Sequence, residues 1–458
     1  MKLLISIPIT AAFLIALLPR RFKNSAVFVA LLAALALSVI SLRSPAADAL
    51  SHLMLVIVNI VSCVVLLYSL RYMQDYTQTW SFYSLFLLML AGLNGVIIAT
   101  DIFGLYVCLE LASISGYLLV AFGLEPEALE ASFKYAIMGA LASIFILLGI
   151  ALLYSYTSTL NMAEIAITLA ATPKGALFKM VSILFLAGFG LKAALVPFHA
   201  WLPDAHSSAP TPVSAVLSGV FVKTLGIYAL MRVFFTVLGI STAALYVFMI
   251  LGLLSMAVGA FLAFNQNDIK RLFAYSTISQ VGYIVFALGI GSPLAILGAL
   301  FHVLNHAAAK SLLFLNAGAI QHATGERSLD KLGGLGPKLP LTSATSFIGA
   351  MSISGIPPLG GFWSKLIIII AAVQAGYVWF AVIAALVSII TLIYYMRFQN
   401  LAFFGPLKSV NENIKEGPFS MKLAVIILAL FCILGGLLLL PGYKDFLTGA
   451  VNILVAGG

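Results

Sequence analysis

Apolar windows follow one another along almost the whole chain, each bounded by charged residues, proline or glycine. Windows of about 20 residues are long enough to cross the hydrocarbon core of a bilayer as helices. They are too long for the alternating strands of about ten residues in an outer-membrane barrel, so helices must satisfy the backbone hydrogen bonds. The windows predict helices that start near residues 2, 25, 50, 80, 102, 130, 176, 210, 241, 272, 293, 341, 376 and 421. The predicted fold class is therefore an all-α polytopic membrane protein with about 14 transmembrane helices.

The composition supports this class. The 458 residues are 62% hydrophobic and only 9% charged, and the mean hydropathy is +1.13. A soluble domain carries about 25% charged residues, so a water-soluble globular protein is excluded. Cys63, Cys108 and Cys432 lie far apart without the spacing of a zinc or iron–sulfur site, and no nucleotide-binding motif is present. The sequence therefore predicts no cofactor and no metal in this chain, and the cysteines are expected to be core residues.

The basic residues indicate membrane topology and not nucleic-acid binding, because the net charge of +9 is dispersed singly between apolar windows. With both termini outside, the predicted inner loops hold most of these residues, namely Arg20, Arg21, Lys23, Arg71, Lys270, Arg271, Arg327, Lys331, Lys338, Arg397, Lys408, Lys415 and Lys422. The outer loops and ends hold Lys2, Arg43, Lys174, Lys179, Arg232 and Lys444. The first window lacks a positively charged leader and a convincing cleavage site, so it is predicted as the first span and not as a signal peptide. The positive-inside rule favours both termini on the outer side.

The remaining lysines fall inside apolar spans, together with one carboxylate and two histidines. They are Lys134, Lys192, Lys223, Lys310, Lys365, Glu110, His302 and His306. A lysine at the centre of a membrane helix costs a few kcal/mol, so each needs a partner, water or a functional reason. Lys134 follows Glu130 by four residues near a helix start, where snorkelling or a pair along the helix explains it as well as function does. Lys192, Lys223 and Lys365 lie near the middle of their spans, where the functional interpretation is favoured.

Two windows combine a lysine with a predicted helix break. In Gly188–Pro197, Lys192 precedes the proline, and in Ser354–Lys365 the lysine follows a Gly-Ile-Pro-Pro sequence. Proline removes a backbone donor and clashes with the preceding turn, so each helix is expected to break. The two windows are five spans apart, an odd number, so repeats of five spans would have opposite orientations in the membrane. The pattern predicts two inverted five-helix repeats with two discontinuous helices, against the alternative of ordinary glycine and proline kinks.

His302, His306 and Lys310 are spaced four residues apart and so share one face of the eleventh span. The two histidines could bind a metal, but no carboxylate or cysteine accompanies them and Lys310 would repel a cation. Imidazole titrates near neutral pH, so the pattern favours a proton relay, and a purely structural polar seam is the alternative.

Glu110 is the carboxylate that lies deep in a span. A buried carboxylate and a buried lysine keep each other charged when they are paired, and separating them changes the protonation of both. A pump that takes up a proton on one side and releases it on the other needs such a pair.

The segment from Gly190 to His206, continuing through Ala209–Gly219 to Lys223, forms a long and specific motif. Asn267–Tyr283 and Gly355–Phe362 support it. With these motifs the chain resembles the antiporter-like proton-channel family. That family comprises the large membrane subunits of respiratory complex I, the A and D subunits of Mrp-type sodium/proton antiporters, and the matching subunits of membrane-bound hydrogenases and formate hydrogenlyases.

The resemblance implies 14 spans and a role for each buried residue. Glu110 and Lys192 would be the ion pair of the first half-channel, and Lys223 would be the linking lysine. His302, His306 and Lys310 would lie on a central hydrophilic axis, and Lys365 would be the terminal proton-exchange residue. Lys134, His199 and Asp204 are possible accessory residues.

The resemblance also implies a division of the chain and narrows the type of subunit. Residues 1–79 would form an N-terminal three-helix segment, 80–236 a first half-channel repeat, 237–402 a second, and 403–458 a C-terminal loop and last helix. Some complex I members carry glutamate at the last exchange position, so Lys365 favours the other complex I members, the Mrp D type or the hydrogenase types. The lack of a long helix after the fourteenth span argues against the largest complex I and Mrp A types.

The sequence therefore favours a proton-translocating, multi-pass subunit of a larger energy-converting complex in a prokaryotic inner membrane, of the NADH:quinone oxidoreductase or hydrogenase type. It would have no redox centre of its own, and its partners would be other membrane subunits and lipid. The alternative is the D-type subunit of a sodium/proton antiporter. In that case Glu110, Ser113, Ser115 and unwound carbonyls are the candidate sodium ligands. A third possibility is a scaffold in which the buried charges only position helices.

Overall fold

Helices account for all regular structure in the residues that the computed structural model describes, which are 2–19, 25–43, 48–172, 175–408, 414–442 and 444–456. The first nine are α1 (Leu3–Leu17), α2 (Ala26–Arg43), α3 (Ala49–Tyr72), α4 (Thr79–Ile98), α5 (Ile102–Val120), α6 (Pro126–Thr157), α7 (Met162–Ala170), α8 (Ala176–Lys192) and α9 (Trp201–Ser208). The others are α10 (Thr211–Val216), α11 (Ala229–Met231), α12 (Thr242–Phe264), α13 (Ile269–Ile290), α14 (Pro293–Thr324), α15 (Pro340–Ser354), α16 (Gly360–Gln374), α17 (Val378–Phe403), α18 (Phe419–Leu434) and α19 (Asp445–Ala456).

Every predicted window begins within a few residues of an observed helix, and the seventh and twelfth windows hold the discontinuous pairs α8/α9 and α15/α16. Within the described ranges, eleven helices are long and apolar enough to cross a membrane. The chain is therefore a multi-pass helical membrane protein, as predicted. The count of fourteen crossings stays a prediction.

Two short helices, α7 and α19, were not among the predicted windows. The α7 helix has 9 residues and buries Met162, Ile165 and Leu169 on one face, and the Asn161 side chain accepts hydrogen bonds from its first amides. The 12-residue α19 helix buries one stripe in the same way. Both are too short and too one-sided to produce a span-length apolar window.

Two parts of the chain share the same order of elements. Antiparallel bridges join Asp101 to Asn161 and Asp268 to Ser328. Asp101 and Asp268 each cap the helix that follows, and each bridge closes around a 32-residue helix that begins with proline, α6 in one case and α14 in the other. The second bridge follows the first by a fixed number of residues along the chain. Both ends of α14 follow the ends of α6 by the same number.

The two bridges lie at opposite ends of the bundle. The first turns of α6 line a pocket together with Asp268, which belongs to the second bridge. The other end of α6, about 48 Å away for 32 residues, leads into Asn161 and the first bridge. Inverted repeats require this arrangement, and both the repeats and their boundaries at 80–236 and 237–402 stay predictions.

The centre of the bundle is the Thr211–Val237 helix, whose residues in the membrane window are all buried. It contains α10 and α11, and its remaining turns are mainly wider π-helical turns, including Lys223–Tyr228. Gly226 allows this helix to approach the break after α8, because a Cβ there would lie 2.6 Å from the Ala193 nitrogen. The close approach brings the middle of this helix next to Lys192.

The structure corrects eight of the loop assignments, because these residues lie within helices: Arg43, Arg71, Lys179, Arg232, Lys270, Arg271, Arg397 and Lys422. Lys270 lies in the first turn of α13 and is 2% exposed. Arg232 lies in the Thr211–Val237 helix and pairs with Asp48 at 2.7 Å. Arg20, Arg21, Lys23 and Lys174 lie outside the described residues. The positions of the termini relative to the membrane stay a prediction.

Candidate functional site

Glu110 and Lys192 form the predicted ion pair. The Lys192 Nζ lies 3.3 Å from Glu110 Oε1, and the lysine side chain is 3% exposed while the glutamate is 24% exposed. Lys192 also donates to Ser113 Oγ at 2.8 Å, and the Ser143 hydroxyl donates to Glu110. The carboxylate, the amine and two hydroxyls thus form one cluster between α5, α6 and α8.

The position of Lys192 follows from the break that the sequence predicts. Lys192 is the last residue of α8, and α9 begins only at Trp201. The Trp201 indole donates back to the Leu191 carbonyl at 3.1 Å, which satisfies one of the acceptors at the open helix end. The Val196 amide donates to Ser255 Oγ at 3.0 Å, which ties the unwound segment to α12.

Of the side chains predicted as sodium ligands, Glu110 and Ser113 converge on the Lys192 amine, and Ser115 bonds elsewhere. Ser113 accepts a hydrogen bond from Lys192, and the Ser115 hydroxyl donates to the Leu111 carbonyl of its own helix. The Lys192 amine occupies the position between Glu110 and Ser113.

Lys223 lies at the start of a π-helical stretch and is fully buried. Its amine donates to the Ser218 carbonyl of the same helix. Its role as the linking lysine, which the resemblance implies, stays a prediction.

His302 and His306 are fully buried on one face of α14, with ring centroids 6.1 Å apart. His302 Nδ1 lies 2.9 Å from Ser364 Oγ, and the Ser364 hydroxyl donates to the Gly361 carbonyl. Nδ1 must therefore be the donor, which leaves His302 Nε2 as the acceptor of the neutral ring. No described protein atom bonds His302 Nε2 or either nitrogen of His306. Buried polar atoms of this kind are usually satisfied by water.

Lys310 lies one turn further along α14, and no carboxylate in the described ranges pairs with it. Its amine donates to the Phe273 carbonyl at 3.0 Å and to the Tyr395 hydroxyl at 2.9 Å. Tyr395 in turn lies 3.0 Å from Ser276 Oγ. These contacts connect His302, His306 and Lys310, which we call the histidine stripe, to α13 and α17.

Lys365 lies at the second break, which also has the predicted form. The α15 helix ends at Ser354, and the next residue, Gly355, has a φ of 87°, in the left-handed region that glycine adopts without strain. Lys365 follows in α16, is 2% exposed, and donates to Ser388 Oγ at 3.2 Å. Ser388 donates to the Ser354 carbonyl at 2.8 Å, so one hydroxyl connects the lysine to the open helix end. The Lys365 amine also lies 4.6 Å from the centre of the Tyr283 ring, a cation–π contact.

The possible accessory residues Lys134, His199 and Asp204 lie apart from the buried lysines and histidines described above. Lys134 is half exposed and pairs with Glu130 at 2.7 Å, the helical pair that its spacing predicts, and with Asp204 at 3.2 Å. Asp204 also binds Arg271 at 2.7 Å. Together they line a pocket of about 300 Å³ at one end of the bundle, which we call the charged pocket. His199 lies in the first break and is half buried.

Sequence reasoning assigned no role to two buried residues near this pocket, His206 and Lys270. His206 is fully buried on α9, and its ring stacks on Phe314 with centroids 4.8 Å apart. The Lys270 amine donates to the Ala209 carbonyl at 2.7 Å. His206 is the last residue of the Gly190–His206 motif, so the sequence could have indicated it. Lys270 has the polar neighbours Asn267 and Asp268, which make it resemble a loop residue.

In the described part of the chain, no group of three or more His, Cys, Asp or Glu residues is arranged to hold a metal ion. Cys432 is buried, and Cys63 and Cys108 are partly buried. All three are free thiols.

Residues 99–391 match the family described as NADH:quinone oxidoreductase/Mrp antiporter, TM. Residues 44–83 match NADH-ubiquinone oxidoreductase (complex I), chain 5 N-terminus. The D subunit of the Na(+)/H(+) antiporter of Alkalihalophilus pseudofirmus is 36% identical over 393 residues, which cover 85% of this chain and 79% of the relative. The N subunit of the NADH-quinone oxidoreductase of Desulforudis audaxviator is 34% identical over 407 residues, which cover 85% of this chain and 81% of the relative.

Solved structures give the same relationship. A chain of the membrane-bound sulfane sulfur reductase, an archaeal respiratory membrane complex, has a TM-score of 0.90 at 29% identity and covers 99% of this chain and 97% of that chain. A chain of the Mrp complex from a Dietzia species has a TM-score of 0.86 at 25% identity and covers 100% of this chain and 96% of that chain. As its motifs predict, the chain belongs to the family of antiporter-like membrane subunits of NADH:quinone oxidoreductases and Mrp antiporters.

Proposed function

We propose that this chain is the proton-translocating membrane subunit of a multisubunit energy-converting complex of the NADH:quinone oxidoreductase or hydrogenase type. The observation that carries the proposal is the series of buried titratable side chains that runs between the two helix breaks. It begins at the Glu110–Lys192 pair, continues through Lys223 and the histidine stripe, and ends at Lys365. Ionisable side chains inside membrane helices are rare, and they characteristically mark ion and proton paths.

The residues of this series are suited to pass protons in steps. Glu110 stabilises the protonated Lys192 amine, so any change that separates them frees that proton for the next site. His302 can accept a proton at Nε2 while Ser364 fixes its ring, and release it again as the neutral form returns. Among the described residues, Lys365 has a hydroxyl and an aromatic ring as partners and no carboxylate that would hold its proton in place.

A neighbouring membrane subunit is expected to drive these changes from the side of Glu110. Val107 and Ile114, which share the Glu110 face of α5, are both exposed on the apolar outer surface. A partly exposed carboxylate at this depth is costly in lipid, so another subunit is expected to cover it. The chain would lie in a prokaryotic inner membrane with both termini outside, and would need no cofactor of its own.

The test uses the whole complex in liposomes with Lys365→Ala. We expect proton pumping to be lost while the partner subunits still assemble. Lys338→Ala is the matched control, because Lys338 is exposed in a loop, and it should pump at the wild-type rate. Full pumping by an assembled Lys365→Ala complex would refute the proposal.

The D-type subunit of a sodium/proton antiporter is the second candidate, favoured by the 36% identity to an antiporter subunit of that type. In that case the same residues exchange ions under an existing gradient. Sodium-dependent fluorescence changes in vesicles without any redox donor would support this function, and their absence would favour the energy-converting complex.

A further inference from the structure

The face of α17 that lies against the second break carries two polar groups one turn apart. They are the Ala384 carbonyl and the Ser388 hydroxyl, which are four residues apart and therefore lie on the same side of the helix. The Ala384 carbonyl accepts from the Tyr283 hydroxyl, and Ser388 Oγ accepts from the Lys365 amine at 3.2 Å. One face of α17 thus holds both Lys365 and the aromatic ring whose centre lies 4.6 Å from its amine.

The Ser388 hydroxyl does not serve its own helix. In a helix, a serine or threonine hydroxyl can donate to the carbonyl four residues earlier, and Thr391 of α17 does so to Val387 at 2.8 Å. Ser388 donates instead to the carbonyl of Ser354, which lies in α15 and 34 residues away, at 2.8 Å. A hydrogen bond that stabilises α17 alone therefore does not explain this serine.

The bond to Ser354 determines the direction of the Ser388 hydroxyl. A hydroxyl has one hydrogen and two acceptor lone pairs. The hydrogen is directed at the carbonyl of Ser354, the last residue of α15, where carbonyls lack a donor within the helix. The lone pairs are left for the Lys365 amine, which is the donor. Ser388 therefore presents an acceptor to the lysine, and an acceptor favours the charged amine.

The backbone of the second break packs directly against this contact. A Cβ on Gly355 would lie 3.1 Å from Lys365 Cδ and 3.4 Å from Ser388 Oγ. Lys365 is 2% exposed, and Ser388 is partly buried. The turn that ends α15 therefore holds the stem of the lysine and the serine hydroxyl next to each other.

We infer that Ser388 is the positioning residue of Lys365, an inference that rests on the proposed function. Its hydroxyl fixes the amine beside the open end of α15, and the Tyr283 ring lies against the same charge. The serine keeps its own proton on the Ser354 carbonyl, so it neither gives nor takes a proton during transfer. Without the hydroxyl the amine loses the partner that fixes its place, and proton exchange at Lys365 becomes slower.

Two substitutions of the same shape test the hydroxyl in the reconstituted complex. Ser388→Val removes it, whereas Ser388→Thr keeps it on a side chain of the same size. We expect Ser388→Val to lower the rate of proton translocation by about tenfold or more, because a hydrogen bond to a charged group is lost. Ser388→Thr should pump several times faster than Ser388→Val. Thr391→Val makes the same exchange of hydroxyl for methyl on the same helix and should keep the wild-type rate.

A second measurement detects the contact itself and does not depend on transport. In Ser388→Cys, a neighbouring ammonium group stabilises the thiolate, which is the form that reacts with N-ethylmaleimide. With modification at position 388 followed by mass spectrometry, we expect alkylation about tenfold faster with Lys365 present than with Lys365→Met. Lys310→Met is the control, because the Lys310 amine binds Phe273 and Tyr395, and it should leave the alkylation rate unchanged.

The outcomes separate this inference from the proposed function. If Lys365→Ala stops pumping while Ser388→Val and Ser388→Thr pump equally fast, the positioning role is wrong and the proposed function stands. Equal alkylation rates with and without Lys365 would also overturn the positioning role, whether or not the valine variant assembles. If Lys365→Ala pumps fully, the proposed function fails and the transport role of Ser388 fails with it, while the alkylation rates still show whether the two side chains are in contact.

Discussion

Replacing Glu110 by glutamine tests whether the buried ion pair is an electrostatic unit. Glutamine keeps the shape of the side chain and an oxygen that can accept from Lys192 and Ser143. It removes the negative charge that faces the lysine. Any loss of stability or of proton translocation in this variant is therefore caused by the missing charge and not by altered packing.

The geometry sets the size of the effect. Two unit charges 3.3 Å apart interact by about 5 kcal/mol at an effective dielectric constant of about 20. Removing one partner of a buried pair typically costs 3–5 kcal/mol, and the partial exposure of Glu110 favours the lower end. We expect Glu110→Gln to destabilise the chain by about 3 kcal/mol and to abolish proton translocation.

The assay is a double-mutant cycle over the wild type, Glu110→Gln, Lys192→Met and the double variant, measured by detergent-induced unfolding in mixed micelles. Because the double variant contains no unpaired charge, its stability should return to within about 1 kcal/mol of the wild type, while transport stays lost. Glu164→Gln, on the exposed face of α7, is the matched control and should change neither quantity. A coupling free energy below about 0.5 kcal/mol would refute the assignment of Glu110 and Lys192 as a charged pair.

Three further predictions concern other parts of the chain. Gly226→Ala should cost about 2 kcal/mol in the same unfolding assay, because its Cβ would meet Ala193; Gly190→Ala, whose Cβ would meet no atom closer than 3.7 Å, is the control and should not destabilise the chain. Ser364→Ala removes the acceptor of the His302 Nδ1 proton, so nitrogen NMR should change from one tautomer to a mixture, and an unchanged spectrum would contradict the assigned bond. Backbone amides that donate to Glu326 lower the pKa of its carboxyl group. These hydrogen bonds therefore stabilise the folded chain at a pH above the ordinary glutamate pKa, and the stabilisation is lost as the pH falls through the lowered pKa. Hydrogen exchange of this loop should thus stay protected at pH 5, and loss of protection there would contradict the prediction.

The sequence predicts those parts of the site that local chemistry determines. Both breaks lie where glycine and proline prevent a continuous helix, so the ends of α8 and α15 follow from the residues themselves. Lys134 pairs with Glu130 as the helical spacing requires. The positions of Lys192 and Lys365 beside the breaks follow in the same way.

Contacts between distant segments are what the sequence does not reveal. The polar neighbours of Lys270 indicate a loop, yet its burial depends on Ala209 at the end of α9, a contact of the folded chain. No pattern within α16 shows that Ser388 of α17 holds Lys365. Neighbours on other helices determine whether a lysine snorkels or pairs, and the periodicity of the sequence does not reveal those neighbours.

The distribution of buried charge determines how protons can move along the proposed route. Of the buried lysines Lys192, Lys223, Lys310 and Lys365, only Lys192 lies in a salt bridge among the described residues. The others are held by carbonyls, hydroxyls and rings, which stabilise an ammonium group less than a carboxylate does. Like charges in a region of low dielectric repel, so a proton on one of these buried lysines raises the energy of a proton on the next. Protons should then advance one at a time, and release at Lys365 becomes the step that allows the next uptake.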